Sequence, residues 1–155
     1  MQCLKLFFQI MSLLNKIFRC DFPITTALDV VGDKWTLVII KQMLLECKKT
    51  FKEFFESQET VATNILSSRL KNLENIGFIS KVKPADNKKT NLYLLTTKGL
   101  SLTPVIIELA LWTNYNVKPM KDHELKLWTE IEDKNKLQEL IIKRYKEKTY
   151  LIKKK

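Results

Sequence analysis

Apolar residues recur at helical spacing through most of this chain and switch to strand spacing once. In Thr60–Gly77, Ala62, Leu66, Leu70 and Leu73 fall on one helical face, with Ile65 and Ile76 at its edge. That spacing predicts a helix with one face buried against a core. The opposite face carries Asn64, Ser67, Ser68, Lys71 and Asn75, with Thr63 and Arg69 at its margins. Upstream, Ile24, Leu28 and Val31 predict a helix from about Ile24, capped by Asp21 or Thr25. Gly32-Asp33 stops it, and Asp33 is placed to cap the next. That next helix, Lys34–Leu45, is apolar on most sides, so it is expected at the centre. Thr50 caps a third helix, Phe51–Ser57, with Phe51, Phe54 and Phe55 facing inward.

After Gly77 the period changes to two. Phe78–Lys83 and Asn91–Leu95 read as strands, and 84–89 as the tip between them, with turn residues and Lys88 and Lys89. Thr96 or Thr97 is then expected to cap a long helix to about Tyr115, kinked at Pro104. It carries Leu100, Pro104, Ile107, Leu111 and Tyr115 on one side and Val105, Ile106, Leu109 and Trp112 on others, more apolar surface than one small domain covers. A last helix, about Asp133–Thr149, has Leu137, Leu140, Ile141 and Tyr145 along a stripe.

The predicted class is mainly α with a small antiparallel β-hairpin (α+β): a winged helix-turn-helix with extra N- and C-terminal helices forming a dimer interface. Residues 1–19 form an amphipathic, dimerising segment and 20–99 the winged helix-turn-helix. Residues 100–118 form a dimerisation helix and 119–155 a basic extension.

Composition sharpens this picture. Three glycines and four prolines in 155 residues argue against a turn-rich all-β fold. The net charge of +10 is unevenly placed. Residues 134–155 hold nine Lys or Arg against two Glu, and 63–98 hold seven against Glu74 and Asp86, whereas 119–133 is acidic. A basic balance favours polyanionic partners. Thr63, Asn64, Ser67 and Ser68 suit base edges, and Arg69, Lys71, Lys88 and Lys89 suit phosphates. Lys81 and Lys83 extend the same basic surface.

Other chemistries find little support. Cys3, Cys20 and Cys47 have no metal-like spacing, so neither a metal site nor a disulfide framework is implied, and a reducing, cytoplasmic compartment is expected. There is no glycine-rich phosphate loop, His123 is the sole histidine, and no motif pairs a nucleophile with a base. No enzyme activity and no cofactor are expected. The apolar run at 6–14 is too short to span a bilayer.

Residues 20–116 resemble the HxlR family of bacterial winged-helix transcriptional regulators. The resemblance is carried by Cys20 and Pro23, by Leu28–Trp35 with its Gly-x-Lys-Trp, and by Phe51-Lys52-Glu53-Phe54. It continues in Leu66–Glu74, Gly77, Pro84, Leu94–Gly99, Pro104 and Trp112. The related MarR and PadR groups share the winged helix without this opening. The resemblance implies a homodimer reading a twofold-symmetric, inverted-repeat operator in double-stranded DNA. It also implies, for some members, a cysteine at the position of Cys20 that senses a small electrophile or oxidant. A helix N-terminus lowers a thiol pKa, which fits a sensor; a buried structural cysteine is the other reading. In three places the chain departs from the family pattern. Ala62 stands where a capping Ser or Thr is common, so Thr60 or Thr63 is expected to cap. The basic C-terminal extension has no counterpart, and the apolar segment before Arg19 is long. A winged helix used for protein–protein or membrane-surface contact is the alternative, the membrane being its weaker form.

Overall fold

The computed structural model describes residues 22–59, 61–84, 89–121 and 128–153, with side chains to residue 149. Asp21, Thr60, the hairpin tip at 85–88, His123 and everything before Phe22 lie outside the described residues. The chain divides into two compact units, residues 1–37 and 38–155.

In the first unit, helix α1 spans Pro23–Val31. Its cap residue is Phe22, which offers no side-chain acceptor, and Pro23 begins the helix with its φ already set. Thr25 therefore lies inside the helix and does not cap it. Of the predicted stripe only Val31 is buried; Ile24 and Leu28 are exposed. Asp33 caps α2, Lys34–Glu46, as expected. One of its carboxylate oxygens accepts the N–H of Trp35 at 3.0 Å and of Thr36 at 3.1 Å, and the other accepts the Thr36 hydroxyl.

The second unit takes in the rest of α2, whose Ile39, Ile40, Met43 and Leu44 belong to the core. Cys47 adopts a left-handed backbone, φ 55°, and turns the chain out of α2. Thr50 then starts α3, Phe51–Phe55, with a reciprocal cap. The Glu53 N–H donates to the Thr50 hydroxyl, and the Glu53 carboxylate accepts the N–H of Thr50 at 2.7 Å and of Lys49 at 2.8 Å. The helix ends two residues short of the expectation. Phe54 is buried, whereas Phe55 is exposed rather than inward.

A short turn leads to α4, Thr63–Asn75. The Thr60 alternative lies outside the described residues, and Thr63 is the first residue of the helix and not its N-cap. Ala62 holds that position without a side-chain hydrogen bond, is exposed, and so is not part of the buried face. Leu66, Leu70 and Leu73 are buried, as their spacing requires. The helix closes on Gly77. There φ is +76°, the Gly77 N–H donates to Glu74 O at 3.0 Å, and the Phe78 N–H donates to Leu73 O at 2.9 Å. Those two bonds satisfy carbonyls that the helix end leaves open.

Strands β1, Ile79–Val82, and β2, Leu92–Leu95, pair antiparallel with Ile79 opposite Leu95 and Val82 opposite Leu92. On the far side of β2, the Tyr93 N–H donates to Lys49 O at 2.7 Å, and Thr50 bridges Leu92. β2 thus lies between β1 and the segment at 49–50 and is buried at all four positions.

The long helix expected after Thr96 is two helices. Thr96 caps α5, Thr97–Leu100, and α6 runs Thr103–Asn116. Pro104 sits in the first turn of α6, where its missing N–H costs nothing. The proline therefore marks a new helix start instead of a kink. After a helical turn at 128–130, α7 spans Lys134–Lys153. Asp133 accepts the N–H of Asn135 and Lys136 at its start. Leu137, Ile141, Tyr145 and Thr149 are its buried row, but Leu140 points to solvent. Among the described residues, no helix is long and apolar enough to cross a membrane.

Candidate nucleic-acid interface

The outer face of α4 is built by the same periodicity that buries its leucines. With Leu66, Leu70 and Leu73 inward, Thr63, Asn64, Ser67, Ser68 and Lys71 are all exposed along the other side. Arg69 is half-buried. The Asn64 side-chain carbonyl accepts the Ile65 N–H at 2.9 Å, which turns its amide N–H groups outward. Ala62 contributes no side chain that could obstruct an approach to the helix start. Lys89, at the edge of the hairpin tip, is exposed; Lys88 and Cys20 lie outside the described residues.

What sequence spacing did not reveal is how this face is held. Lys41 on α2 pairs with Glu46 at 2.6 Å and with Glu59, in the turn before α4. The neighbouring Gln42 is fully buried and donates to the other Glu59 oxygen at 2.7 Å. Burial alone drives the Lys41 pKa down, but Glu46 and Glu59 outweigh it and leave it raised. Burial pushes the Glu59 pKa up, yet Lys41 and Gln42 hold it below the ordinary value. One carboxylate thus ties the turn to the central helix. At the other end of α4, Lys98 donates to Ile76 O at 2.8 Å and lies over the Phe78 ring. No local signal marks either link, because the partners lie 17 to 22 residues apart.

Residues 30–121 match the model of the HxlR-like helix-turn-helix family. The chain belongs to that family. It is a transcriptional regulator of the winged-helix type, and the family is not one of enzymes. The HTH-type transcriptional regulator BH0655 of Halalkalibacterium halodurans is 33% identical over 92 residues, which are 59% of this chain and 81% of that one. Among solved structures, PA1607 superposes with a TM-score of 0.58 at 34% identity, covering 68% of this chain and 72% of its own. The redox regulator HypR in its reduced form superposes with a TM-score of 0.54 at 27% identity, covering 62% and 96%. The HxlR-like match ends at residue 121, so α7 lies beyond it.

Proposed function

We propose that the chain acts in the cytoplasm as a homodimer that binds an inverted-repeat DNA duplex. In this reading α4 lies in the major groove and the hairpin tip on the backbone. Thr63, Asn64, Ser67 and Ser68 approach base edges, while Arg69, Lys71, Lys88 and Lys89 hold phosphates. The observation that carries the reading is the split of α4 into a buried leucine row and an exposed hydroxyl-and-amide row. The domain boundaries follow the same logic, with 20–99 as the DNA-binding part, 100–118 as the dimerisation helix, and 1–19 and 119–155 as flanking additions. The exposed Val105 and Leu109 on α6 supply an apolar stripe suited to a second copy.

The test is selection of bound duplexes from a random pool, followed by affinity at several salt concentrations. Asn64→Ala or Ser67→Ala is expected to relax base preference. Lys88→Ala with Lys89→Ala is expected to weaken all sequences alike and to flatten the salt slope by roughly one unit per phosphate contact removed. An unchanged affinity and slope in the double lysine variant would remove the wing assignment.

The likeness to a protein named as a redox regulator supports a second layer, in which Cys20 answers a small electrophile or oxidant. Oxidant is expected to change duplex affinity in the native chain and not in Cys20→Ser. An equal change in both removes Cys20 from the mechanism.

A further inference from the structure

A cleft of about 370 Å³ lies between the base of the hairpin and α7. Its size falls within the usual range for small-molecule sites, roughly 300–1,000 Å³. Ser80 of β1 and Leu94 and Leu95 of β2 line it, with Thr96 and Thr97 where the chain enters α5. Tyr145, Lys146 and Thr149 line it from α7. That helix lies beyond the HxlR-like match, so this wall is an addition to the family's domain. None of the lining residues is among those proposed to touch DNA, and none belongs to α6, the helix proposed to dimerise.

The donors in the cleft decide what fits it. The phenol oxygen of Tyr145 accepts the Leu95 N–H at 2.8 Å, but its own hydrogen meets no acceptor among the described residues. Tyr145 is only 3% exposed, and a hydroxyl so enclosed calls for an acceptor. The Thr97 hydroxyl and the Lys146 ammonium also lack a partner among the described residues. Other hydroxyls of the lining are already engaged: Thr96 donates to Gly77 O at 2.6 Å and Thr149 to Tyr145 O at 2.8 Å. No carboxylate lines the cleft, and the sequence after Thr149 holds no acid that could answer Lys146 from along the helix. A cation would therefore meet the Lys146 charge with nothing to offset it. A neutral apolar molecule would leave all three donors unanswered. A phosphate dianion would bring about two charges to one ammonium and leave the leucines uncovered. A carboxylate brings one charge and two oxygens that together accept three donors, and an apolar body attached to it covers Leu94 and Leu95.

We propose that this cleft binds a small apolar carboxylic acid as its anion, with Lys146 as counter-charge and the Tyr145 and Thr97 hydroxyls donating to the carboxylate. In a transcriptional regulator such a site would receive an effector, but occupancy does not depend on DNA binding and is measured without it.

Tyr145 couples the site to an amide that reports on it. Once a carboxylate accepts the Tyr145 hydrogen, the phenol oxygen becomes a stronger acceptor for the Leu95 N–H, and the Leu95 amide proton moves downfield. The probes are benzoate, its neutral amide benzamide, and inorganic phosphate, each titrated into the full-length protein and followed by amide NMR. Saturable shifts at Leu95 and Thr97 are expected with benzoate, with affinity about tenfold above benzamide, the size of one charge-assisted contact. Lys146→Gln is expected to remove most of that preference and to leave benzamide unchanged. Thr97→Val is expected to weaken benzoate about fivefold, the loss of one hydrogen bond. The remaining amide shifts show that both variants keep the fold. Absence of saturable shifts in the millimolar range overturns the proposal, as does equal affinity for benzoate and benzamide, or unchanged benzoate affinity in either variant. Tighter binding of phosphate than of benzoate at the same amides overturns the carboxylate assignment. Sedimentation under the same conditions covers the rival occupant. If Lys146→Gln dissociates a dimer that does not bind benzoate, a second copy fills the cleft and the proposal fails.

Discussion

The phenol oxygen of Tyr145 accepts the backbone N–H of Leu95 at 2.8 Å, across 50 residues of sequence. Leu95 and Tyr93 turn their N–H groups to the same edge of β2. Lys49 O serves Tyr93, and the tail helix serves Leu95, beside which no further strand lies among the described residues. A side chain from α7 thereby takes the place of a strand. Both groups are buried, so the bond cannot be replaced by water without opening the packing.

Tyr145→Phe is accordingly expected to keep the ring in place and leave a buried N–H without an acceptor. The expected cost is about 1–3 kcal/mol, with faster amide exchange at Leu95 than at Tyr93. The same group sets an alkaline limit. Burial pushes the Tyr145 pKa up; the Leu95 N–H lowers it in part, and Cys47 adds to the rise. A raised folded pKa means that the contribution is intact below the ordinary tyrosine value of 10.0 and is lost as pH climbs toward the folded value. Denaturant melts between pH 8 and 11 check this, with Tyr145→Phe expected to flatten the alkaline decline.

Glu53 gives the opposite sign. Burial pushes its pKa up, but the N–H groups of Lys49 and Thr50 and the Thr50 hydroxyl outweigh that and leave it lowered. Its contribution is present above the ordinary value of 4.5 and fades as pH falls through the folded value. Glu53→Gln is expected to cost about 0.5–1 kcal/mol at neutral pH and to approach the native protein in acid. A stability difference that stays constant from pH 7 to pH 3 would contradict the charge's role in the cap.

Glu59→Leu removes the acceptor of the buried Gln42 amide and one partner of Lys41. A loss of about 1–3 kcal/mol is expected. Glu59 is assigned no DNA contact, so duplex affinity should fall while the salt slope stays as it was. A lowered slope would mean that Glu59 acts on phosphate contacts directly.

The glycines separate steric from conformational cost. A Cβ on Gly99 would meet the Phe78 carbonyl oxygen, a backbone atom, at 2.1 Å. Gly99→Ala is expected to cost about 3 kcal/mol or more. A Cβ on Gly77 meets nothing within 4 Å, yet φ there is +76°. Gly77→Ala is expected to cost about 1–2 kcal/mol, and Gly77→Asn less. Thermal melts of the three variants order these effects.

Local periodicity made much of this architecture readable. The 3.6-residue spacing of Leu66, Leu70 and Leu73 located α4 and its outward face, and the caps at Asp33, Thr50 and Thr96 needed only their neighbours. Spacing does not tell which apolar residues the fold leaves uncovered: Ile24, Leu28, Phe55 and Leu140 fit inward stripes by spacing and are exposed. It joined α5 to α6 because both are rich in apolar residues, although Pro104 fits a helix start better than a helix interior. The Glu59–Lys41–Gln42 cluster, the Lys98–Ile76 bond and the Tyr145–Leu95 bond are long-range pairings, set by the topology and not by any motif.

With Lys49, Thr50 and Tyr145 bordering β2, no strand among the described residues pairs with the outer side of β1. An open strand invites another chain to add on and start an aggregate. Lys81 and Lys83 stand exposed on and just beyond that strand. Their like charges would repel the matching flank of a second molecule, so the cations that extend the wing's basic surface also guard the free protein against self-templated fibre growth.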